Sequence, residues 1–273
     1  MTTVNQMRKE NEKGFYYNPF EPRQWDITDE NYQNQLVAQN FDFSKCQYPD
    51  LIDSQALQNI RKALLVPLIS ITVVGTIFLP LHAQLIYLTW WGHHLQTFTL
   101  IYCIKAGNPE NKNNLLIKRI SAICFQVSLT LQLIINLVYW TQLYQNDLAK
   151  SFTPDRPIFS TYFWWHKVLI HSLPAVTAVL NFILTQGVFI PGQAFYQIVL
   201  GAFYTIFNYF GVQYLGQPIY DFMDWKSYMS VVNSLIVFIM SGLIQQIICW
   251  FSIQVKTRPI DMIQSTQQDK KSK

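Results

Sequence analysis

The sequence predicts an all-α polytopic membrane protein, a bundle of six transmembrane helices with a polar N-terminal tail. Three observations carry that prediction. Apolar stretches at about 63–82, 85–104, 120–144, 162–186, 195–216 and 229–254 are each long enough to cross a hydrocarbon core ~30 Å thick. Lys167 is the only Lys, Arg, Asp or Glu inside them. Charged residues make up 13% of the chain, against about 25% in soluble domains.

The elements follow in order. Residues 1–62 read as a polar extramembrane tail; its first sixty residues hold nine acids and five bases. It has no long apolar run, so it is neither a span nor a cleavable secretory signal, and it is too acidic for a transit peptide. The first span then acts as its own membrane signal. Tyr16-Tyr17-Asn18-Pro19-Phe20-Glu21-Pro22 reads as extended, and a short helix is expected near 54–62. Residues 63–255 form the six-helix transmembrane domain, with a very short connection around His82-Ala83-Gln84. The loop at 105–118 is basic and Asn-rich, and the loops at 147–160, 187–194 and 217–228 all carry proline. Residues 256–273 are a polar C-terminal tail ending in Lys270-Lys271-Ser272-Lys273, and no internal repeat is visible.

Aromatic residues sit at span ends, as in Tyr162-Phe163-Trp164-Trp165 and Trp250-Phe251, where half-apolar rings favour the headgroup level. Six spans put both termini on one side. Arg61, Lys62, Lys105, Lys112, Lys118, Arg119, Lys256 and Arg258 are expected to flank the membrane there, against Lys150, Arg156 and Lys226 opposite. The positive-inside rule then places the termini in the cytoplasm, or in the matrix of a mitochondrion. The net charge of +4 is too small to imply a nucleic-acid partner. Cys46, Cys103, Cys124 and Cys249 form no close pair, so neither a disulfide framework nor a metal site is expected. No cofactor is called for.

The spans carry polar stripes. Thr89, Gly92, His93 and Gln96 share one helical face of the second, and Lys167, His171, Pro174, Ala178, Asn181 and Thr185 one face of the fourth. Gln197, Gly201, Tyr204, Asn208 and Gly211 do the same in the fifth. Small and polar residues line helix interfaces generally, but ionisable groups inside a bilayer face a polar interior. A polar cavity in the bundle is expected. Thr89 lies ~6 Å and His171 ~13 Å into their spans from the same side, close enough in depth to meet. A hydroxyl becomes a nucleophile when an imidazole takes its proton, which points to attack on an acyl ester. With no acid in the spans, the group orienting the imidazole is an amide, a hydroxyl or a backbone carbonyl; Asn208, Gln132 and Tyr204 all remain open. His93 fits either a second base or oxyanion donor, or an interior histidine held by hydrogen bonds. Lys167 fits either an oxyanion stabiliser, or a side chain reaching the headgroups or Asp221 or Asp224.

A family resemblance joins these residues. Tyr87-Leu88-Thr89 with Gln96 resembles the "F/Y-L-T…Q" segment of the androgen-induced-gene family, which includes the androgen-dependent TFPI-regulating protein. Trp165-His166-Lys167-Val168-Leu169-Ile170-His171, with Leu173-Pro174, is similar to that family's fourth-span histidine segment. Tyr204-Thr205-Ile206-Phe207 and Pro218-Ile219-Tyr220-Asp221-Phe222-Met223 are similar to its fifth span and exit loop. The similarity spans roughly residues 63–255. Trp90-Trp91-Gly92-His93-His94, Lys167 and the long tail depart from the pattern. The resemblance implies an intramembrane hydrolase of fatty acid esters of hydroxy fatty acids, with Thr89 as nucleophile, His171 as general base, and His93, Gln96, Lys167, Asn208 and Tyr204 as pocket residues. Membrane lipids would then be its partners.

Two other classes compete. The chain also fits an accessory subunit of a large membrane assembly, such as a respiratory complex of the mitochondrial inner membrane, with the tail laid along a partner. His93 and His171, at similar depth, also fit the two axial ligands of a haem.

Overall fold

The computed structural model describes residues 26–145 and 157–256. The stretch from Tyr16 to Pro22, most of the loop at 147–160 and the tail beyond Lys256 lie outside the described residues. Helix α1 spans Glu30–Asn40, with the Asp29 carboxylate accepting from Tyr32 N at 3.0 Å. Strand β1 follows at Phe41–Cys46. Helix α2, Ser54–Phe78, is capped by Asp53, which accepts from Ala56 N at 2.7 Å. The short α3, Leu81–Ile86, turns the chain into α4, Leu88–Gly107. Helix α5, Leu115–Val138, is capped by Asn114 and runs into a π-helical turn at Tyr139–Leu143. Helix α6, Pro157–Leu184, leads into β2, Thr185–Gly187. Helix α7, Ala194–Leu215, stops at Gly216, whose φ of 67° suits the left-handed residue after a helix. Helix α8 is Met229–Lys256.

Among the described residues, five stretches are long and apolar enough to cross a membrane: Ser54–Phe78, Leu115–Leu143, Ser160–Leu184, Pro191–Leu215 and Met229–Lys256. The sixth expected span, α4, is a helix of 20 residues but falls outside that group. The physical reason is its position. It packs against α2, α5 and α6, and half of its residues are buried, among them Thr89, His93, Gln96 and Thr99. Facing other helices rather than lipid, its polar side chains find partners there, as Gln96 does in Thr177 and Ser128 and Thr99 in Cys124 O. The outer faces of the other helices are apolar. Val66, Ile69, Val73 and Ile77 on α2, Phe203, Ile206 and Phe210 on α7, and Ile236, Ile239, Leu243 and Ile247 on α8 all point outward. Contiguous apolar surface on this scale marks a membrane-embedded protein.

Three features differ from expectation. The chain from Glu30 to Cys46 is no free tail: Leu36, Val37, Phe41 and Phe43 are buried in one cluster with Cys103, Phe125, Phe182 and Phe189. The fold also contains a small antiparallel ladder, β1 against β2, pairing Phe41 with Gly187 and Asp42 with Gln186. Arg61 and Lys256, expected to flank the membrane, are buried within the protein, 1% and 3% exposed. The Arg61 guanidinium donates to Asn181 Oδ1 at 3.0 Å, Thr185 Oγ1 at 2.8 Å and Phe43 O. Lys256 Nζ donates to Phe182 O at 2.6 Å and Thr185 O at 2.8 Å, over the Phe182 ring. The end of α6 and the two strands thus hold two cations inside the protein, Arg61 through the Asn181 amide, the Thr185 hydroxyl and Phe43 O, and Lys256 through Phe182 O and Thr185 O.

Candidate active site

Thr89 lies in the first turn of α4, just after the break from α3. Threonines elsewhere in the helices, such as Thr72, Thr97, Thr99 and Thr130, donate their hydroxyl proton to the carbonyl four residues back. At Thr89 that acceptor, Leu85 O, is taken by the indole N–H of Trp91 at 2.8 Å. The Thr89 hydroxyl instead meets His171 Nε2 at 3.0 Å.

The other side of the imidazole is held as well. His171 Nδ1 lies 2.7 Å from Lys167 O on α6. A carbonyl oxygen only accepts, so Nδ1 carries the proton and the neutral ring offers Nε2 as the acceptor. Thr89 therefore donates to His171, the direction in which a base activates a hydroxyl. Asn136 Nδ2 donates to His171 O at 3.1 Å, and the Tyr139 ring stacks on the imidazole from the π turn. Such turns recur at functional positions.

Two cavities meet at this pair. A vestibule of about 450 Å³ is lined by Thr89, His171, His82, His166, Lys167 and Asp221, with Tyr87, Phe163 and Tyr220. A narrow slot of about 70 Å³ runs the other way between α5, α7 and α8, past Leu131, Ile134, Ile135, Leu200, Val237 and Phe238. Thr89, His171, Tyr139 and Tyr220 line both. One hydroxyl–imidazole pair thus sits between a larger chamber of mixed polarity and an apolar slot.

No protein-family model, curated protein or solved structure matches this chain.

The other expected pocket residues divide. Lys167 lines the vestibule and Tyr204 the slot. Gln96 lines neither: it donates to Thr177 Oγ1 at 3.2 Å and accepts from Ser128 at 2.6 Å, tying α4 to α6 and α5. Asn208 accepts from Trp225 Nε1 at 2.8 Å and donates to Tyr204 OH at 3.2 Å, so it braces the exit loop rather than His171. His93 is fully buried with Nε2 2.9 Å from Thr72 Oγ1, whose own proton goes to Leu68 O. The structure brings His93 to α2 and His171 to Thr89, each imidazole on its own hydroxyl. Of the open orienting groups, the backbone carbonyl is the one found.

Tyr220 and Tyr139 join the site although neither is expected there. Tyr220 belongs to the loop after α7, and its hydroxyl accepts from Leu88 N at 3.2 Å, beside Thr89 and Tyr204. Burial pushes this phenol up to about 12, with partial offsets from Tyr204 and Leu88. It remains a proton donor at neutral pH, next to the first turn of α4, where helix N–H groups and the dipole favour negative charge. The signal for Tyr220 was present in the Pro218-Ile219-Tyr220 segment. Tyr139 had no sequence signal beyond being an aromatic residue near a span end.

Proposed function

We propose that the protein is a six-span membrane hydrolase of lipid esters, distantly related to the androgen-induced-gene family, with Thr89 as nucleophile and His171 as general base. One observation carries this reading: the 3.0 Å Thr89–His171 hydrogen bond, with Nδ1 anchored on Lys167 O, at the junction of a mixed-polarity chamber and an apolar slot. In this reading α4 is the sixth span, buried within the bundle. The termini lie on the cytoplasmic or matrix side, following the charge asymmetry.

The division of the cavity matches an amphipathic ester, with the acyl chain in the slot and the alcohol portion in the vestibule. Thr89 Oγ attacks the ester carbonyl carbon and its proton passes to His171 Nε2. The carbonyl π electrons move onto oxygen, and the resulting oxyanion faces the first turn of α4 and the Tyr220 hydroxyl. Collapse breaks the bond to the alkoxy oxygen, which leaves as the alcohol with the proton from Nε2. A water molecule then gives its proton to Nε2 and attacks the acyl-threonine. Release of the carboxylic acid returns the proton to Thr89.

The test is turnover of a neutral long-chain umbelliferyl ester by the full chain in nanodiscs. Wild type and Thr89→Ser should turn over, and Thr89→Ala should lose about 10³-fold or more. Equal rates for wild type and Thr89→Ala would refute the reading.

A further inference from the structure

The vestibule carries charge of both signs that the proposed reaction does not use. It is bounded by the ends of α2 and α7 and the beginnings of α4 and α6, so in the six-span reading it lies at headgroup level. Lys167 lines it from α6 and Asp221 from the loop after α7. Lys167 is half-buried and Asp221 exposed, so a ligand in the chamber can reach both. Lys167 sits one turn before His171, ~6 Å along the helix axis. Side chains of a helix lean towards its N-terminus, here the rim of the bundle, which carries the ammonium to the headgroup side of the Thr89–His171 pair. The lining also includes the rings of Tyr87, Phe163 and Tyr220, and aromatic faces attract a cation.

We propose that the vestibule binds the zwitterionic headgroup of a single-chain glycerophospholipid, with the phosphate on Lys167 and the quaternary ammonium towards Asp221 and the aromatic rings. This deepens the hydrolase reading by naming the alcohol part of the substrate, and it rests on that reading for the ester's place beside Thr89. The acyl C–O bond breaks as described above, glycerophosphocholine leaves as the alcohol, and the phosphodiester is untouched. The proposal departs from the family resemblance: an ester of a hydroxy fatty acid carries a carboxylate and no cation, and so brings Asp221 only like charge.

The lengths agree with this assignment. In such a lipid six bonds separate the ester carbonyl carbon from phosphorus, ~7 Å at roughly 1.2 Å of advance per bond, close to the one-turn offset of Lys167 from His171. Four more bonds, ~5 Å, separate phosphorus from nitrogen, a span that fits inside a chamber of about 450 Å³. A lysine serves phosphate as a point charge. The slot between α5, α7 and α8 is narrow, which suits one acyl chain rather than two.

The experiment is equilibrium binding to the full chain in detergent, using radiolabelled ether-linked hexadecyl glycerophosphocholine, which has no ester to cleave. The unlabelled competitors are hexadecyl glycerol, hexadecyl glycerophosphate, a fatty acid ester of a hydroxy fatty acid, and glycerophosphocholine without a chain. Wild type should bind the choline lipid about tenfold or more tighter than hexadecyl glycerol, with hexadecyl glycerophosphate between them and the chain-free headgroup not competing. Lys167→Met should lower affinity for both phosphate lipids about tenfold, and Asp221→Asn should remove the advantage of the choline headgroup over phosphate alone. Neither should shift hexadecyl glycerol more than about threefold. No binding of the labelled lipid, equal competition by hexadecyl glycerol, stronger competition by the carboxylate ester, or a preference that survives both substitutions would overturn the proposal. The headgroup comparison needs only wild-type protein, so a variant that misfolds leaves it decisive. Thr89-dependent hydrolysis of a neutral ester with no headgroup preference would sink this proposal alone. A headgroup preference without hydrolysis would sink the catalytic reading alone.

Discussion

The imidazole of His171 lies flat against the Tyr139 ring, with centroids 3.5 Å apart and planes 5° from parallel. Two hydrogen bonds set where the nitrogens point, and the stacked ring sets the plane. Removing the ring should loosen the base without removing it. Tyr139→Leu is expected to lower kcat about 10- to 100-fold with little change in KM, while Tyr139→Phe stays within about threefold. Steady-state hydrolysis in nanodiscs separates the two parameters.

Lys167 orients His171 through its backbone carbonyl, so its ammonium is not part of that contact. Lys167→Met should leave turnover of a neutral ester within about threefold of wild type, because the tautomer is held by the main chain. A loss as large as that of Thr89→Ala would place the ammonium itself in the chemistry.

Tyr220 supplies a hydroxyl beside Leu88 N and Thr89. Tyr220→Phe should reduce kcat about 10- to 100-fold while the protein folds normally. The folded-state value, raised to about 12, keeps the hydroxyl protonated, so Tyr220 should add no alkaline limb to the rate profile below about pH 10. For stability the sign is opposite to that of a paired carboxylate. The unfolded phenol ionises first, so this residue's contribution is intact at neutral pH and declines as pH rises above the ordinary tyrosine value. Rate profiles of wild type and Tyr220→Phe from pH 6 to 10 should run parallel.

Arg61 fastens the N-terminal strand to α6 from inside the protein. Arg61→Met would leave buried Thr185 Oγ1 without its donor and remove one of two donors each from Asn181 Oδ1, which keeps Thr185, and Phe43 O, which keeps Gln58, at a cost of about 2–3 kcal/mol. A thermal melt in detergent should show the lower Tm, and limited proteolysis should show earlier cleavage between α1 and α2.

Much of this architecture was legible because membranes impose long apolar runs. Five of the six expected spans emerge as long apolar helices, and α4 emerges as a helix whose polarity reflects its central position. The approach of Thr89 to His171 was readable because helical spacing and rise fix both face and depth. The orienting carbonyl of Lys167 was not singled out, since every residue carries one and only the fold selects which is used. The ladder was missed for a similar reason. Phe41 and Phe43 alternate as a strand should, but their partner is three residues long and ends an apolar run. The burial of Arg61 and Lys256 was not legible, because sequence alone does not separate a cation in headgroups from one held by buried polar groups. Gln96 and Asn208 lie on the expected faces but are engaged in bracing neighbouring helices and the exit loop.

Whether an imidazole from α6 turns the Thr89 hydroxyl into a nucleophile is decided by mass spectrometry of the intact protein after treatment with a fluorophosphonate. One covalent adduct is expected, mapping to Thr89 and vanishing in both Thr89→Ala and His171→Asn. An unmodified wild-type protein, or an adduct that persists in Thr89→Ala, would contradict it.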